Sequence, residues 1–146
     1  MNIHEVLTRA RQLAENGFGR HVRMIENYDP SLPEVLGDRD QLVQVFLNLV
    51  MNAIHAVGGN GTIAISTNFD ADRQVVSAEV ADDGYGIRQK DLSRIFDPFF
   101  TTKPTGQGTG LGLSVSYGII KKYQGTITVE NIAGAGCQFI IMLPLE

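Results

Sequence analysis

The sequence predicts an α+β fold, a two-layer sandwich in which a mixed sheet of about five strands is covered on one face by three helices. Three segments carry apolar residues at helical spacing, and shorter segments rich in β-branched and aromatic residues lie between and after them. Some of these shorter segments are joined by tight turns, which indicate antiparallel neighbours. A chain of 146 residues is long enough for one well-cored domain, so residues 1–146 are predicted to form a single domain.

The first half of the chain is predicted as helix, strand, helix. Residues 3–16 have the spacing of a short amphipathic helix, which Asn16-Gly17 ends. A strand is predicted over 21–28. From Asp38 or Asp40 to Val57 the spacing is helical again, and Gly58-Gly59 is a typical terminator.

The second half is predicted to be richer in strands. Two β-rich segments flank Asp70-Ala71-Asp72 and predict a hairpin, and the turn at Gly134-Ala135-Gly136 joins the last two strands. The predicted elements are, in order, strands over 62–69 and 74–81, a loop with a short helix over 84–108, a helix over 110–123, and strands over 126–131 and 137–143.

Composition excludes several classes of function. The net charge is −4 and the basic residues are scattered, so nucleic acid is not an expected partner. No stretch is apolar for the length of a membrane span, and no membrane contact is expected. The single cysteine, Cys137, precedes an apolar run and is predicted to be a buried structural thiol. With no signal peptide recognised, a reducing cytoplasm is the expected compartment.

A polar stripe runs along the otherwise apolar second helix. Gln41, Gln44, Asn48, Asn52 and His55 fall within an arc of roughly 80° on a helical wheel. Asparagine is a poor helix former, so the two asparagines one turn apart suggest a ligand cavity, with amide oxygens suited to Mg²⁺. A plain solvent face is the alternative, although such a face usually carries Lys and Glu.

A carboxylate ends the second strand of the predicted hairpin. Alternation places Asp82 on the same face as Val76, Ala78 and Val80. An ionised carboxylate aimed at the core needs hydrogen-bond donors, and an adenine amino group would supply one. Gly84 and Gly86 would leave room for a flat base, while an ordinary turn after a strand is the simpler explanation.

Glycine occupies every second position from Gly106 to Gly112, just before a predicted helix. Such a segment suits phosphate binding, because glycines allow close approach of the main chain and a helix N-terminus attracts anions. From the spacing alone, a flexible hinge explains it equally well. The dinucleotide fingerprint fails because Leu113 occupies its last glycine position, and no P-loop Gly-Lys-Ser/Thr is present.

Taken in order, four motifs resemble the N, G1, F and G2 boxes of sensor histidine kinases, most closely those of the nitrogen-regulation type. They are Asn48-Leu49-Val50-Met51-Asn52-Ala53, Asp82-Asp83-Gly84-Tyr85-Gly86-Ile87, Phe96-Asp97-Pro98-Phe99-Phe100-Thr101-Thr102-Lys103 and Gly108-Thr109-Gly110-Leu111-Gly112-Leu113-Ser114. The resemblance implies the catalytic ATP-binding domain of such a kinase, with the fold of gyrase-type and heat-shock chaperone ATPases. It also implies ATP and Mg²⁺ as ligands, a histidine on an upstream dimerisation domain as phosphoacceptor, and indirectly a response regulator.

The resemblance also assigns roles to individual residues. Asn52 would coordinate Mg²⁺, Asn48 would line the same site, and Asp82 would accept from the adenine amino group. Residues from about Phe99 to Gly110 would form a lid over the nucleotide, with Lys103 contacting phosphate. The expected catalytic residues are therefore Asn48, Asn52 and Lys103, and the expected nucleotide contacts also include Asp82, Gly84, Gly86, Ile87, Phe99, Thr101, Thr102, Gly108, Thr109, Gly110, Leu111 and Gly112.

Two departures from the family pattern bear on the chemistry. Asp83 stands where the family usually has asparagine, which adds a charge near the base. Hydrolytic relatives place a glutamate one turn before the metal asparagine, and Asn48 stands there in this chain. An amide cannot act as a general base, so phosphoryl transfer is favoured over steady ATP hydrolysis.

The segment His4-Glu5-Val6-Leu7-Thr8 has the outline of a phosphoacceptor box. Only three residues precede His4, and Arg9 replaces the usual proline, so the chain is expected to lack its own acceptor. Three rival interpretations are a gyrase-like or chaperone-like ATPase, a serine kinase of the same fold acting on a regulatory protein, and a binding module with a decayed site.

Overall fold

The computed structural model describes residues 1–17, 22–58, 61–97, 112–132 and 136–145. These residues form three α-helices, a short 3-10 helix over Gln89–Asp91 and one mixed sheet of five strands. The elements are, in order, α1 (Ile3–Gly17), β1 (Arg23–Asn27), α2 (Arg39–Ala56), β2 (Thr62–Asp70), β3 (Val75–Asp82), α3 (Gly112–Lys122), β4 (Thr126–Asn131) and β5 (Cys137–Pro144). Within the described ranges, no helix combines the length and the apolar character that crossing a membrane requires.

The strand order in the sheet is β1-β2-β3-β5-β4. Strand β1 runs parallel to β2, and the other neighbours are antiparallel, as the predicted mixed sheet requires. Cross-strand partners such as Ile65 and Val80, or Val80 and Phe139, are buried together. These inward positions alternate with more exposed ones, so the sheet has one face against the core and one face outward.

The helices pack against the inward face of the sheet, with α2 between α1 and α3. Helix α2 starts where Asp38 caps it, because the Asp38 carboxylate accepts hydrogen bonds from the amides of Asp40 and Gln41. Gly58, at φ +63°, follows its end, as the sequence predicts. The buried face of α2 is made by Leu42, Val45, Phe46, Leu49, Val50, Ala53 and Ile54.

The predicted boundaries are close to the observed ones, with small shifts at turns. Strand β1 is shorter than the predicted 21–28, and its first predicted residue lies outside the described part of the chain. Strand β3 begins at Val75 because Gln74 has φ +56°, a left-handed turn conformation. The helix predicted from 110 is described from Gly112 onwards.

Candidate functional site

Two residues of the polar stripe on α2, Gln41 and Asn48, contact α3. At one end, the Tyr123 hydroxyl donates to Gln41 Oε1 at 2.7 Å. Seven residues further along α2, Asn48 Nδ2 donates to the carbonyl of Gly112 at 3.1 Å and to Ser116 Oγ at 3.2 Å. Since contacts at higher numbers in α2 match lower numbers in α3, the two helices are antiparallel.

Asn48 therefore fixes the start of α3 beside α2. It contacts the Gly112 carbonyl, while the N–H groups of the first turn of α3 point out of the helix toward its N-terminal end. Those groups and the helix dipole favour an anion there. That Asn48 lines the metal site held by Asn52 stays a prediction. In the structure the Asn48 amide links the two helices, and its Oδ1 also accepts from Gln44 Nε2 at 3.0 Å.

Asn52 lies one turn beyond Asn48 on α2, past the first residue of α3. One turn further, Ala56 meets the loop that follows β3, where the Tyr85 amide donates to the Ala56 carbonyl at 3.4 Å. From Asn48 to Ala56 the helix rises about 12 Å. One stretch of α2 thus connects the N-terminus of α3 to the loop after β3.

Asp82 lies at the end of β3, on the inward face, and is only 5% exposed. Its Oδ1 accepts from the Gly84 amide at 2.9 Å, and its Oδ2 lies 3.5 Å from Cys137 Sγ. An ionised carboxylate offers about four acceptor positions, so these two described contacts leave capacity for a ligand donor. The inward carboxylate that alternation predicts is confirmed, although protein groups already supply part of its hydrogen bonding.

Cys137 is buried, as the sequence predicts. Burial, together with the negative charge and the hydrogen bond of Asp82, raises the pKa of the Cys137 thiol to about 12. The sulfur therefore stays protonated at neutral pH, and its S–H can donate weakly to the carboxylate.

The structure explains why glycine occupies positions 84 and 86, which could not be inferred from the sequence. A Cβ at Gly84 would lie 2.2 Å from the Ala56 carbonyl oxygen, so this position packs directly on the end of α2. Gly86 has φ +76°, which favours glycine. Asp83 is exposed, and its Oδ1 accepts from the Thr62 amide at 2.9 Å, which ties the loop to the start of β2.

Asn131, at the end of β4, is a further polar residue of this region that the sequence analysis missed. Its Oδ1 accepts from the Ile87 amide at 2.9 Å, and its Nδ2 donates to the Ile87 carbonyl at 2.6 Å. The same alternation that found Asp82 would have found it, because Ile127, Val129 and Asn131 share one face of β4.

The remaining predicted site residues divide into two groups. Phe96, expected to pack rather than to contact substrate, lies 5.5 Å from the Tyr117 ring and 6.4 Å from the Phe139 ring, between centroids. The other group lies outside the described residues, so those assignments remain predictions: Phe99, Thr101, Thr102, Lys103, Gly108, Thr109, Gly110 and Leu111.

His4 lies on α1, in a shallow groove of about 370 Å³ that is also lined by Thr8, Tyr28 and Arg39. Its ring stacks on Tyr28 at 4.7 Å, and its Nε2 lies 3.0 Å from Oγ1 of Thr67, which is buried on β2. These contacts hold the imidazole against the sheet, and the expectation that His4 is not a phosphoacceptor stays a prediction.

Comparison with known proteins agrees with this geometry. A family model described as histidine kinase-, DNA gyrase B- and HSP90-like ATPase matches residues 37–146. The sensory histidine kinase/phosphatase NtrB of Rhodobacter capsulatus is 46% identical over an alignment 156 positions long, gaps included. The alignment covers 99% of this chain and 43% of NtrB. The chain thus spans less than half the length of this curated relative.

Solved structures give the same answer for the fold. The nucleotide-free catalytic domain of histidine kinase ThkA matches with a TM-score of 0.86 and 36% identity, over 99% of this chain and 93% of that one. ThkA in complex with the response regulator protein TrrA matches with a TM-score of 0.83 and 32% identity, over 100% of this chain and 41% of that one. The chain belongs to the histidine kinase-, DNA gyrase B- and HSP90-like ATPase family, and within it resembles the catalytic domains of NtrB-type sensor histidine kinases.

Proposed function

We propose that this chain is the catalytic domain of a sensor histidine kinase, which binds Mg-ATP and donates its γ-phosphoryl group to a histidine on an upstream dimerisation domain. One observation carries the proposal. A single stretch of α2 joins a helix N-terminus suited to phosphate, beside Asn48, to the loop after β3, which contacts Ala56 and donates to the buried carboxylate of Asp82. Helix α2 rises about 12 Å from Asn48 to Ala56, a length that suits an extended nucleoside triphosphate.

Asp82 would recognise the base. Its carboxylate is held by the Gly84 amide, and a carboxylate accepts from an exocyclic amino group but not from a ring carbonyl. This predicts a preference for adenine over hypoxanthine, which carries a carbonyl at that position. Because the group is buried, leaving it without a ligand donor after a base change would be costly.

The phosphates would lie at the N-terminus of α3, where the first-turn amides and the helix dipole favour negative charge. Asn52, past the first residue of α3, would hold Mg²⁺ with its neutral amide oxygen, together with phosphate oxygens, a donor set that suits this hard cation. The metal would neutralise charge on the transferring group. Within the described ranges, no cluster of three His, Cys, Asp or Glu side chains offers a metal site of its own.

Asn48 supports transfer over hydrolysis. Its amide is bonded to Gly112, Ser116 and Gln44, and an amide does not take a proton from water at neutral pH. The chain would therefore act by positioning and charge stabilisation, and would need an acceptor. The kinase names of NtrB and ThkA, and the response regulator bound to ThkA, support the same partners for this chain.

The test is phosphoryl transfer in trans. The purified chain is incubated with Mg²⁺ and ATP labelled at the γ position, alone and with the separately purified dimerisation domain of its parent kinase. We expect acid-labile label on the dimerisation domain and negligible label on the chain itself. Strong labelling of His4, or rapid release of inorganic phosphate without an acceptor, would contradict the proposal.

A further inference from the structure

One row of residues crosses the sheet at the end of the site where Asp82 would bind the adenine base. Ile63 of β2 pairs with Asp82 of β3, and Asn131 of β4 pairs with Cys137 of β5. Ala81 pairs with Gln138, so the next position of the register brings Asp82 beside Cys137, as their 3.5 Å contact shows. Asn131 thus lies in the same row as the buried carboxylate, two strands away.

We propose that Asn131 is a positioning residue for the base end of the nucleotide site, acting through the loop that carries Gly86 and Ile87. This inference rests on the proposed function and extends it. Asn131 hydrogen-bonds to both backbone groups of Ile87. Its Oδ1 lies 2.9 Å from the Ile87 amide nitrogen, and its Nδ2 lies 2.6 Å from the Ile87 carbonyl oxygen. The side chain therefore replaces the strand pairing that this irregular segment does not have.

The carboxamide of Asn131 supplies both the acceptor and the donor that this pair of hydrogen bonds needs. Aspartate keeps an acceptor for the Ile87 N–H but has no donor for the Ile87 carbonyl, and alanine keeps neither. The left-handed backbone at Gly86, φ +76°, brings the loop within reach: a Cβ added there would lie 3.0 Å from Asn131 Oδ1. We call this pair of hydrogen bonds the clamp. It depends on the amide of Asn131 and on the absence of a side chain at Gly86.

Contacts on both sides of the exposed Tyr85 hold the loop. On one side, Gly84 packs on the Ala56 carbonyl and donates its N–H to Asp82. On the other side, Asn131 holds Ile87. If the contact between Asn131 and Ile87 is lost, the loop samples other positions. The apparent dissociation constant of the nucleotide then rises in inverse proportion to the fraction of molecules whose loop is in the binding position.

Asn131 is exposed at the end of an edge strand, so its substitution does not open the core. This separates a positioning role from a structural one. Loss of the clamp should change nucleotide affinity and the environment of Ile87, while the stability of the domain and the transfer rate at saturating ATP stay close to those of the unchanged protein.

The experiment compares Asn131→Ala, Asn131→Asp and the control Asn27→Ala, which alters an exposed asparagine at the end of the other edge strand. Calorimetry with Mg-ADP is expected to show affinity about five- to tenfold weaker for Asn131→Ala, a smaller loss for Asn131→Asp, and no change for the control. Amide NMR signals of Gly86 and Ile87 should shift in Asn131→Ala, and the midpoint of urea unfolding should fall by less than about 1 M, because the two lost hydrogen bonds are exposed.

The possible results are distinguishable. If Asn131→Ala binds Mg-ADP as tightly as the unchanged chain while Asp82→Asn loses binding, the positioning role is wrong and the proposed function stands. If Asp82→Asn also binds normally, the proposed site itself is wrong. If Asn131→Ala lowers the urea midpoint by more than about 1 M, the residue is structural, and the inference is overturned.

Discussion

Substituting Gly84 by alanine is predicted to damage the fold and the base end of the site together. The added Cβ would lie 2.2 Å from the Ala56 carbonyl oxygen and 2.5 Å from its carbonyl carbon. Relief requires a shift of about 1.2 Å, the difference between 2.2 Å and the 3.4 Å at which ordinary contact begins. Since the obstructing atoms are helix backbone, the loop must move, and the Gly84 N–H then leaves Asp82.

The cost follows from these two effects. Overpacking costs about 1–3 kcal/mol and the lost hydrogen bond about 1 kcal/mol, so we expect about 2–4 kcal/mol of lost stability. With a slope of about 2 kcal/mol per molar urea, the unfolding midpoint falls by about 1–2 M.

The matched control is Gly118→Ala, within α3, where an added Cβ has nothing within 4 Å. Alanine is the better helix former by about 1 kcal/mol, so the control should keep or raise the midpoint. An unchanged midpoint for Gly84→Ala, or an equal loss for both variants, would refute the packing argument.

Two further predictions concern other contacts of the site. Asn48→Ala removes the amide that binds the Gly112 carbonyl, and should lower the free energy of unfolding in urea by about 1–2 kcal/mol. Asn68→Ala, at an exposed position of β2, serves as the control. Equal unfolding midpoints for the two variants would show that the link between α2 and α3 is dispensable. Cys137, buried beside a carboxylate with its pKa raised to about 12, should react far more slowly with a thiol reagent at pH 8 in the native protein than in urea, and similar rates would contradict the assigned environment. The sign for stability follows: the unfolded thiol loses its proton first, so stability is present below the unfolded pKa and falls as pH rises toward 12, and Cys137→Ser should reduce that fall.

The elements of this fold could be predicted because each has a local signal. The two long helices follow from apolar spacing, which places the start of the second at Asp38 or Asp40, and the inward Asp82 follows from its alternation with Ala78 and Val80. These signals depend on neighbours within one turn or one strand. They can therefore be read without knowledge of the tertiary structure.

What was missed depends on contacts between distant segments. Gly84 packs on Ala56, Asn48 binds Gly112, and Asn131 binds Ile87. No local sequence pattern predicts which of these distant residues come into contact. The stripe on α2 was correctly identified as unusual, but its partner helix could not be chosen from the sequence. Polar residues in such a stripe bind whatever the tertiary fold brings to them.

Calorimetry with Mg-ATP and Mg-ITP tests most directly whether Asp82 recognises adenine. Glu79→Gln is the control, because Glu79 is a carboxylate on the same strand but on the outward face. We predict that the unchanged chain and the control prefer ATP over ITP, and that Asp82→Asn binds ATP at least about tenfold more weakly and loses that preference. ATP binding by Asp82→Asn with unchanged affinity and preference would contradict the claim.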